Sequence, residues 1–248
     1  MIIKFLTYNI WYGKNWKEII PFIKNLSPDI FALQEVTSNL SKFDLGNVDI
    51  VIELQKAFPE HQSVFAPINY KKELGKVIQY GNMILSRFPI INHKVHYFFK
   101  QPDWTDDYEN QARHLLEARI DVEGKGISVF TTHLTYSKAF QDNPKKIKEA
   151  EKIVDIISDK KPTILAGDFN STPNSKTIKS IDTQIKYLDR EKRPTWTKHP
   201  FSKDGFKANT LNWKLDYIFL SEDLSHQNLE IIDTALSDHL PMKVEINL

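Results

Sequence analysis

The chain of 248 residues contains no cysteine. This absence excludes disulfide bonds, cysteine-ligated zinc and a thiol nucleophile, and it is typical of proteins from a reducing compartment. The opening residues, MIIKFLTYNIWYGKN, lack a basic segment followed by an apolar one, so no signal peptide is predicted. The chain also lacks a run of about 18 apolar residues that would predict a membrane-spanning helix. These absences together predict a cytoplasmic protein.

An excess of either charge is absent as well. Lys and Arg number 33 against 32 Asp and Glu, which gives a net charge of +1 and no indication of a polyanionic partner. The 41% hydrophobic and 12% aromatic content is typical of a well-packed globular protein. Because no low-complexity linker interrupts the sequence, we expect residues 1–248 to form a single domain, and a monomer without an obligate protein partner.

Three catalytic signatures are missing. The sequence contains no G-x-x-x-x-G-K-[ST] loop, no G-x-S-x-G elbow and no H-E-x-x-H helix. Nucleotide-driven transfer by a P-loop, a serine nucleophile of the hydrolase type and zinc peptidase chemistry are therefore disfavoured.

Hydrophobic periodicity predicts strands mixed with amphipathic helices. The predicted strands cover 2–10, 29–36, 61–67, 81–90, 113–122, 126–136, 214–220 and 242–248, and a further one begins at 164. The predicted helices cover 16–26 after Asn15, about 49–57, and a segment from Asn143-Pro144 with Ile147, Ala150, Val154 and Ile157 on its apolar face and lysines opposite. Long surface loops are predicted at 92–112 and 189–212. The mixture favours α/β architecture, with one mixed sheet or two packed sheets and helices outside.

Polar side chains stand where most of these strands end or begin. They are Asn9, Glu35, His133, Asp168, Asn170, Asp216, Asp238 and His239. Taken singly, each has an ordinary interpretation as a turn former, a solvated strand end or a packed histidine. Ligands of α/β proteins collect beyond strand ends, so the whole set is predicted to converge on one site.

The residue types indicate metal-assisted attack by water. Glu35, Asp238 and the amide oxygen of Asn9 are hard oxygen ligands that suit Mg²⁺ or Mn²⁺. His239 suits transfer of a proton from water if a carboxylate fixes its tautomer. Asp168 and Asn170, two positions apart on a strand, project to the same side, so that one can hold the water while the other donates to a phosphate oxygen.

Seven motifs occur in an order that resembles the endonuclease/exonuclease/phosphatase superfamily. They are LTYNI, LQEV, GNMILSRFPI, FTTHL, LAGDFNSTPNS, KLDYIFLS and SDHLP. The superfamily includes deoxyribonucleases, abasic-site endonucleases, tyrosyl-DNA phosphodiesterases, deadenylases, sphingomyelinases and inositol polyphosphate phosphatases. The resemblance extends from residue 4 to about residue 246. It implies a four-layered α/β sandwich, with two mixed sheets between helices, that hydrolyses phosphoesters with a divalent metal.

The resemblance also implies roles for individual residues. The implied metal ligands are Asn9, Glu35 and Asp238; the implied catalytic residues are Asp168 for the water, Asn170 for the phosphate, Asp216 to orient His239, and His133 near the leaving group. Arg113 resembles a phosphate-contacting arginine of some branches, although Arg119 is an alternative, and a surface ion pair is the ordinary interpretation of either. Whether His239 or Asp168 acts as the base stays open.

Three departures from the family pattern bear on these roles. Tyr80 and Asn82 stand where deoxyribonuclease carries a glutamate that partners the histidine equivalent to His133, which puts a charged His133 in doubt. The Pro-x-Trp-x-Asp-Arg signature of inositol phosphatases is absent. So is the asparagine-rich stretch that follows GDFN in abasic-site endonucleases.

The sequence thus predicts a Mg²⁺- or Mn²⁺-dependent phosphodiesterase that acts on nucleic acid or on a nucleic-acid adduct. Aromatic residues in the predicted loops could stack bases; they are Trp104, Tyr108, Trp196, Phe201, Phe206 and Trp213. Cleavage of a phospholipid head group or a small phosphoester is the alternative, with HYFFKQPDW (96–104) as a candidate apolar hairpin. An inert binding module is disfavoured because every matched position is filled.

Overall fold

The computed structural model describes residues 1–38, 48–73, 76–99 and 110–248. Within these ranges the helices are α1 Trp16–Leu26, α2 Ile50–Ala57, α3 Pro144–Ile157 and α4 Lys176–Gln184. The strands are β1 Ile2–Asn9, β2 Ile30–Ser38, β3 Gln62–Glu73, β4 Lys76–Ser86, β5 Ile90–Tyr97, β6 His114–Val122, β7 Lys125–His133, β8 Thr163–Asp168, β9 Lys186–Tyr187, β10 Phe201–Lys203, β11 Phe206–Ala208, β12 Asp216–Leu220, β13 Ser225–Ile231 and β14 Met242–Asn247.

Two mixed sheets of six strands form the centre of the fold. Their orders are β13-β14-β1-β2-β4-β3 and β5-β6-β7-β8-β12-β9, and β10 pairs with β11 in a separate hairpin. The pairs β1–β2 and β7–β8 are parallel, while the other neighbours are antiparallel. The parallel pairs bring the ends of β1 and β2, and of β7 and β8, to common edges of their sheets.

The sheets pack face to face, and helices cover their outer faces. Ile3 and Phe5 of the first sheet share a buried cluster with Val129 and Ile164 of the second. A second cluster joins α1 and α2 to the outer face of the first sheet, and a third joins α3 and α4 to the outer face of the second. The four-layered α/β sandwich is therefore confirmed. No helix in the described ranges is long and apolar enough to cross a membrane.

Some local predictions were wrong, mostly where exposed strands give no burial pattern. Strand β5 occupies the start of the predicted 92–112 loop as a sheet edge with a largely solvent-facing surface, and the strand predicted at 81–90 ends at Ser86. The predicted 189–212 loop contains the β10–β11 hairpin, and its Trp196 is buried. Helix α4 and strand β13 were not predicted. Residues 100–109 of the first predicted loop lie outside the described residues.

Two details of the predicted helices also differ. Asn15 precedes α1, but its side-chain amide donates to the Leu236 carbonyl at 2.7 Å rather than capping the helix. The buried face of α3 is Lys146, Glu149, Ala150, Ile153 and Ile157, one position away from part of the predicted face. Asn143 does cap α3, since its side chain accepts from the Lys146 backbone N–H at 2.9 Å.

Candidate active site

Alternation along the central strands carries the polar residues into the space between the sheets. In β8, Ile164 and Ala166 belong to the core between the sheets, while Leu165 and Phe169 pack outward under the helices. Side chains two apart share a face of a strand, so Asp168 follows Ala166 into that inner space. The same rule places Asn9, His133 and Asp216 on the inner faces of β1, β7 and β12. The site therefore lies at the strand ends, where the inward-facing side chains change from apolar to polar.

Glu35 reaches this space through an irregularity in β2. The register between β2 and β4 shifts between Leu33 and Val36, and Glu35 has a φ of 56°. A β-bulge of this kind redirects a side chain and is frequent beside active sites. The prediction placed Glu35 at the end of its strand, whereas it lies inside β2. The bulge turns its carboxylate towards His133, whose Nδ1 is 4.0 Å from Glu35 Oε1.

Strand β8 ends in a tight turn that depends on a glycine. Gly167 has a φ of +142°, and a Cβ there would lie 2.1 Å from the Thr132 carbonyl oxygen of the adjacent β7. The Asn170 N–H donates to Asp168 Oδ1 at 2.8 Å, and Asn170 Nδ2 donates to the Leu134 carbonyl at 3.0 Å. The turn interpretation of these two residues is thus right locally, yet both side chains also line the cavity described below.

A buried lysine of α3 donates a hydrogen bond to this turn. Lys146 of α3 is fully buried, and its Nζ lies 2.5 Å from the Asn170 carbonyl oxygen, 3.1 Å from that of Gln141 and 3.2 Å from that of Phe140. Asn170 and Phe140 both have positive φ, of 46° and 56°. Strained conformations persist only where the surroundings hold them. The ammonium of Lys146 therefore holds the Asn170 turn and the Phe140 segment together.

His239 is held by a carboxylate from the neighbouring strand. Its Nδ1 lies 2.9 Å from Asp216 Oδ2, and Asp216 stands opposite Asp168 in the β8–β12 register. Burial alone would lower the pKa of His239, but the carboxylates of Asp216, Asp168 and Asp238 raise it well above the usual histidine value. His239 Nε2 is directed towards Asp168, at 3.5 Å from Oδ2.

Asp168 occupies the centre of the site. Its Oδ2 lies 3.4 Å from His133 Nε2, 3.5 Å from His239 Nε2 and 3.2 Å from Asn9 Nδ2, which donates to it. Burial raises the pKa of Asp168 to about 6, against the lowering effect of His239. A carboxylate with a pKa near neutrality is suited to accept a proton from water.

The pKa of His133 is shifted in the opposite direction from that of His239. Burial, reinforced by the charge of Arg113, holds its pKa well below the usual value. Tyr80 and Asn82, which replace the family glutamate, bond elsewhere: the Tyr80 hydroxyl donates to Gln111 Oε1, and Asn82 Nδ2 lies 3.2 Å from His114 Nε2. The doubt that the sequence raises about a charged His133 stays a prediction, and the lowered pKa of His133 supports it.

Arg113 is a buried cation rather than a surface residue. Only 2% of it is exposed, and it lines the same cavity as Asp168. Its Nη2 donates to Gln111 Oε1 at 3.2 Å, whereas Nε and Nη1 have no hydrogen-bond partner in the described part of the chain. The surface ion-pair interpretation was therefore wrong. Arg119, the alternative, donates to Ser128 Oγ at 3.0 Å and is not among the described residues lining the cavity.

The three predicted metal ligands are placed unequally. Glu35 and Asp238 line the cavity together, and Asp238 Oδ2 accepts from Trp196 Nε1 at 3.1 Å. Asn9 lies beside them, but its Oδ1 accepts from the Trp11 N–H at 3.1 Å. A different group, Asp168, Asp216 and His239, has ligand atoms within 4.8 Å of one another. Two carboxylates facing one cavity fit a hard divalent cation such as Mg²⁺.

One cavity of about 70 Å³ is lined by most of the predicted site residues, although Asn9 and Asp216 are not among the described residues that line it. The polar residues that line it are Glu35, Gln111, Arg113, His133, Asp168, Asn170, Asp238 and His239. An apolar wall is formed by Tyr12, Tyr136, Phe140, Trp196, Phe201 and Leu215. Trp196 and Phe201 are thus at the site, whereas Phe206 and Trp213 pack behind them in the same aromatic cluster. Trp104 and Tyr108 lie outside the described residues.

Sequence reasoning missed several supporting residues. Thr195 Oγ1 accepts from the N–H of Asp216 at 3.1 Å, and the Ser237 hydroxyl donates to the Asn9 carbonyl at 2.8 Å. Lys146 was counted among the solvated lysines of α3, and Gln111 was placed in a surface loop. None of them carries a motif, because their function depends on contacts between distant parts of the chain.

Several proteins of known structure share this fold. Solved structures of similar fold include an endonuclease/exonuclease/phosphatase from Bacteroides vulgatus (20% identity, TM-score 0.71, 100% of this chain and 99% of that one). Another is a mannosyl-6-phosphatase from Bacteroides thetaiotaomicron (17%, 0.71, 99% and 100%). A third is D. rerio TDP2 complexed with a single-strand DNA product (15%, 0.73, 100% and 99%). No curated protein matches the chain significantly.

At identities of 15–20% the structures show similarity of fold alone. Membership of a family is shown by the sequence itself. Residues 6–239 match the Endonuclease/Exonuclease/phosphatase family, and the match includes all the polar residues collected at the cavity. The protein belongs to the endonuclease/exonuclease/phosphatase family.

Proposed function

We propose that this protein hydrolyses phosphoester bonds by metal-assisted attack of water, and that its substrate is a phosphodiester of nucleic acid or of a nucleic-acid adduct. The observation that carries the proposal is the convergence of Asp168, Asn170 and His239 on one cavity with Glu35 and Asp238. These five residues come from three separate parts of the sequence. Together they supply a base, a hydrogen-bond donor to phosphate, a cation and two metal-binding carboxylates.

Asp168 is the proposed base. The oxygen of a water forms a bond to phosphorus, a proton of that water passes to Asp168, and the bond from phosphorus to the leaving oxygen breaks with its electron pair on that oxygen. Burial raises the pKa of Asp168 to about 6, so that its carboxylate is present at neutral pH and basic enough to take the proton. Asn9, which donates to Asp168 Oδ2, orients it.

Charged and neutral donors hold the phosphoryl group. His239, kept protonated by Asp216 at 2.9 Å, donates from Nε2 to an oxygen on which negative charge develops. Arg113 offers Nε and Nη1, the two nitrogens without a hydrogen-bond partner among the described residues. Asn170 and the neutral His133 complete the pocket. This assignment favours Asp168 over His239 as base, because a histidine that already holds its proton cannot accept another.

Glu35 and Asp238 are the proposed ligands of Mg²⁺ or Mn²⁺, with Asn9 beside them. A divalent ion bound there would polarise a phosphoryl oxygen and stabilise the leaving oxygen. The contribution of the chain is to present two carboxylates at one wall of the cavity and to fix Asp238 through Trp196 Nε1.

The choice of a nucleic-acid phosphodiester is supported by the aromatic wall and by the similarity to a TDP2 structure with a DNA product. A phosphomonoester of a small molecule is the second candidate, because the cavity is small and a buried arginine lines it, and because a mannosyl-6-phosphatase shares the fold. A phospholipid substrate gains no support, since much of the HYFFKQPDW segment lies outside the described residues. The single domain, the monomeric state and the cytoplasmic location stay predictions.

The test is hydrolysis by the purified protein with Mg²⁺, Mn²⁺ or EDTA. The substrates are bis(p-nitrophenyl) phosphate, p-nitrophenyl phosphate, single- and double-stranded DNA, RNA and sphingomyelin. We expect EDTA to abolish activity, and Asp168→Ala and His239→Ala each to lower kcat by about 10²- to 10⁴-fold. Asp121→Asn, near the end of β6, where the carboxylate accepts from the Gly124 N–H of the turn to β7, is the control and should retain full activity. Full rates in EDTA, or in both alanine variants, would refute the mechanism.

A further inference from the structure

A second cavity adjoins the first on the side of the metal-binding carboxylates. It has a volume of about 110 Å³ and shares Tyr12, Glu35, Phe201 and Asp238 with the first cavity. Its own walls are Trp11, His199 and Pro200. The two cavities therefore meet along a boundary that contains both carboxylates proposed to bind the metal.

The residues proposed for attack lie on one side of that boundary. Asp168, His239 and Arg113 line the first cavity and are not among the described residues that line the second. In phosphoryl transfer the attacking and leaving oxygens lie roughly in line across phosphorus, with a metal ion stabilising the leaving oxygen. If water is activated at Asp168, the leaving group points across Glu35 and Asp238 into the second cavity.

The walls of the second cavity favour an uncharged ring. Three of its lining residues are aromatic or imidazole rings beyond Tyr12, namely Trp11, His199 and Phe201, and none of the described residues that line it is a lysine or arginine. No lysine or arginine among these lining residues would pair with a second phosphate group there. Engineered apolar cavities of about 150 Å³ bind benzene, so the volume is of the right order for one planar ring.

The walls are also fixed in place. His199 Nε2 lies 2.9 Å from the Ala235 carbonyl, and the rings of Trp11 and His199 pack with centroids 5.0 Å apart. Lys14 Nζ covers the Trp11 ring at 3.8 Å. Trp11 and Tyr12 have positive φ of 48° and 57°, a strained pair of the kind found at ligand-binding positions. A surface held by such contacts is ordered before the substrate binds.

We propose that this second cavity is the leaving-group subsite, and that it binds an uncharged planar or sugar ring attached to the ester oxygen that leaves. The proposal rests on the phosphoester hydrolysis proposed above. It names the part of the substrate that the protein recognises, and it assigns Trp11 and His199 to specificity, since neither residue lines the cavity that contains Asp168.

The test compares two diesters that release the same group. Bis(p-nitrophenyl) phosphate and methyl p-nitrophenyl phosphate both lose p-nitrophenol, but they differ in the group that stays on phosphorus. For His199→Ala and Trp11→Ala we expect kcat/KM to fall roughly tenfold on both compounds, mostly through KM, as for loss of one aromatic stacking contact. Phe206→Ala, which belongs to the aromatic cluster of Trp196 and Phe201 but lines neither cavity, is the control and should change little.

A loss confined to bis(p-nitrophenyl) phosphate would overturn the proposal, because the cavity would then hold the retained group. So would losses no larger than that of Phe206→Ala. Binding provides a readout that is independent of turnover: phenyl phosphate should shift the Trp11 indole N–H resonance more than methyl phosphate does. Equal shifts overturn the subsite even if neither diester is hydrolysed, whereas an inert enzyme with the expected shifts refutes only the hydrolytic function.

Discussion

The two histidines beside Asp168 occupy contrasting surroundings. Nε2 of each lies about the same distance from Asp168 Oδ2, 3.4 Å for His133 and 3.5 Å for His239. Both are buried, which disfavours the protonated form of either ring. Yet the pKa of His239 is raised well above the usual value, while that of His133 is lowered well below it.

The neighbouring charge explains the difference. His239 has Asp216 at its Nδ1, at 2.9 Å. His133 has the nearest Glu35 oxygen at 4.0 Å and the charge of Arg113 close enough to lower its pKa further. One carboxylate therefore stands between a protonated and a neutral imidazole. Burial lowers the pKa of both histidines, so the difference between them comes from the charged side chain next to each ring.

Removing the partner of His239 should have the largest effect on this contrast. In Asp216→Asn the largest of the charges that raise the pKa of His239 is gone, so the pKa falls and the ring holds its proton less firmly near neutral pH. We expect kcat to fall about 100-fold, the lower range for loss of a positioned proton donor. Steady-state rates at saturating substrate give kcat, and the His239 ring resonances give its protonation. An unchanged rate with a deprotonated His239 would show that the cation is not needed.

The residues of this pair could be predicted from the sequence, but their contact distances and protonation states could not. Alternation and strand ends were enough to select Asp168, Asp216 and His239, because a period of two residues fixes the face and a run of apolar residues fixes the end of each strand. The four-layered fold followed from ordered motifs along most of the chain. The period of two does not reveal which carboxylate contacts His239, but the family motifs implied Asp216, 23 residues away, and its Oδ2 lies 2.9 Å from His239 Nδ1.

Charges that are hidden from the sequence pattern were the hardest to place. Lys146 belongs to a helix rich in lysines, and only the packing of α3 on the Asn170 turn buries it. Arg113 and Arg119 are equivalent in the sequence, six positions apart in and beside one strand, but one enters the cavity and the other bonds Ser128. Glu35 depends on a bulge, which periodicity does not indicate.

Removing the cation beside His133 should have a smaller effect. Arg113→Gln abolishes a charge-assisted contact to the phosphoryl group, and we expect KM to rise about tenfold or more. The protein should remain folded, because no described carboxylate forms an ion pair with Arg113, and the buried Glu149, whose pKa its charge lowers, keeps its bonds to Thr135. The pKa of His133 should rise towards the usual value. Arg119→Gln is the matched control, and an equal rise in KM in both variants would remove Arg113 from the phosphate pocket.

The smallest expected effect is the absence of a titration. In metal-free protein, the ring nitrogens of His133 and His239 should keep their protonation states between pH 5 and pH 8, with only a small change in chemical shift near pH 6 as the adjacent Asp168 titrates. An unperturbed histidine would change its charge near 6.5, within this range. His239 stays protonated because its pKa lies well above the usual value, and His133 stays neutral because its pKa lies well below it. Two imidazoles that titrate together near pH 6.5 would show that Asp216 and Arg113 do not set the two protonation states, and the contrast on which the proposed roles depend would be lost.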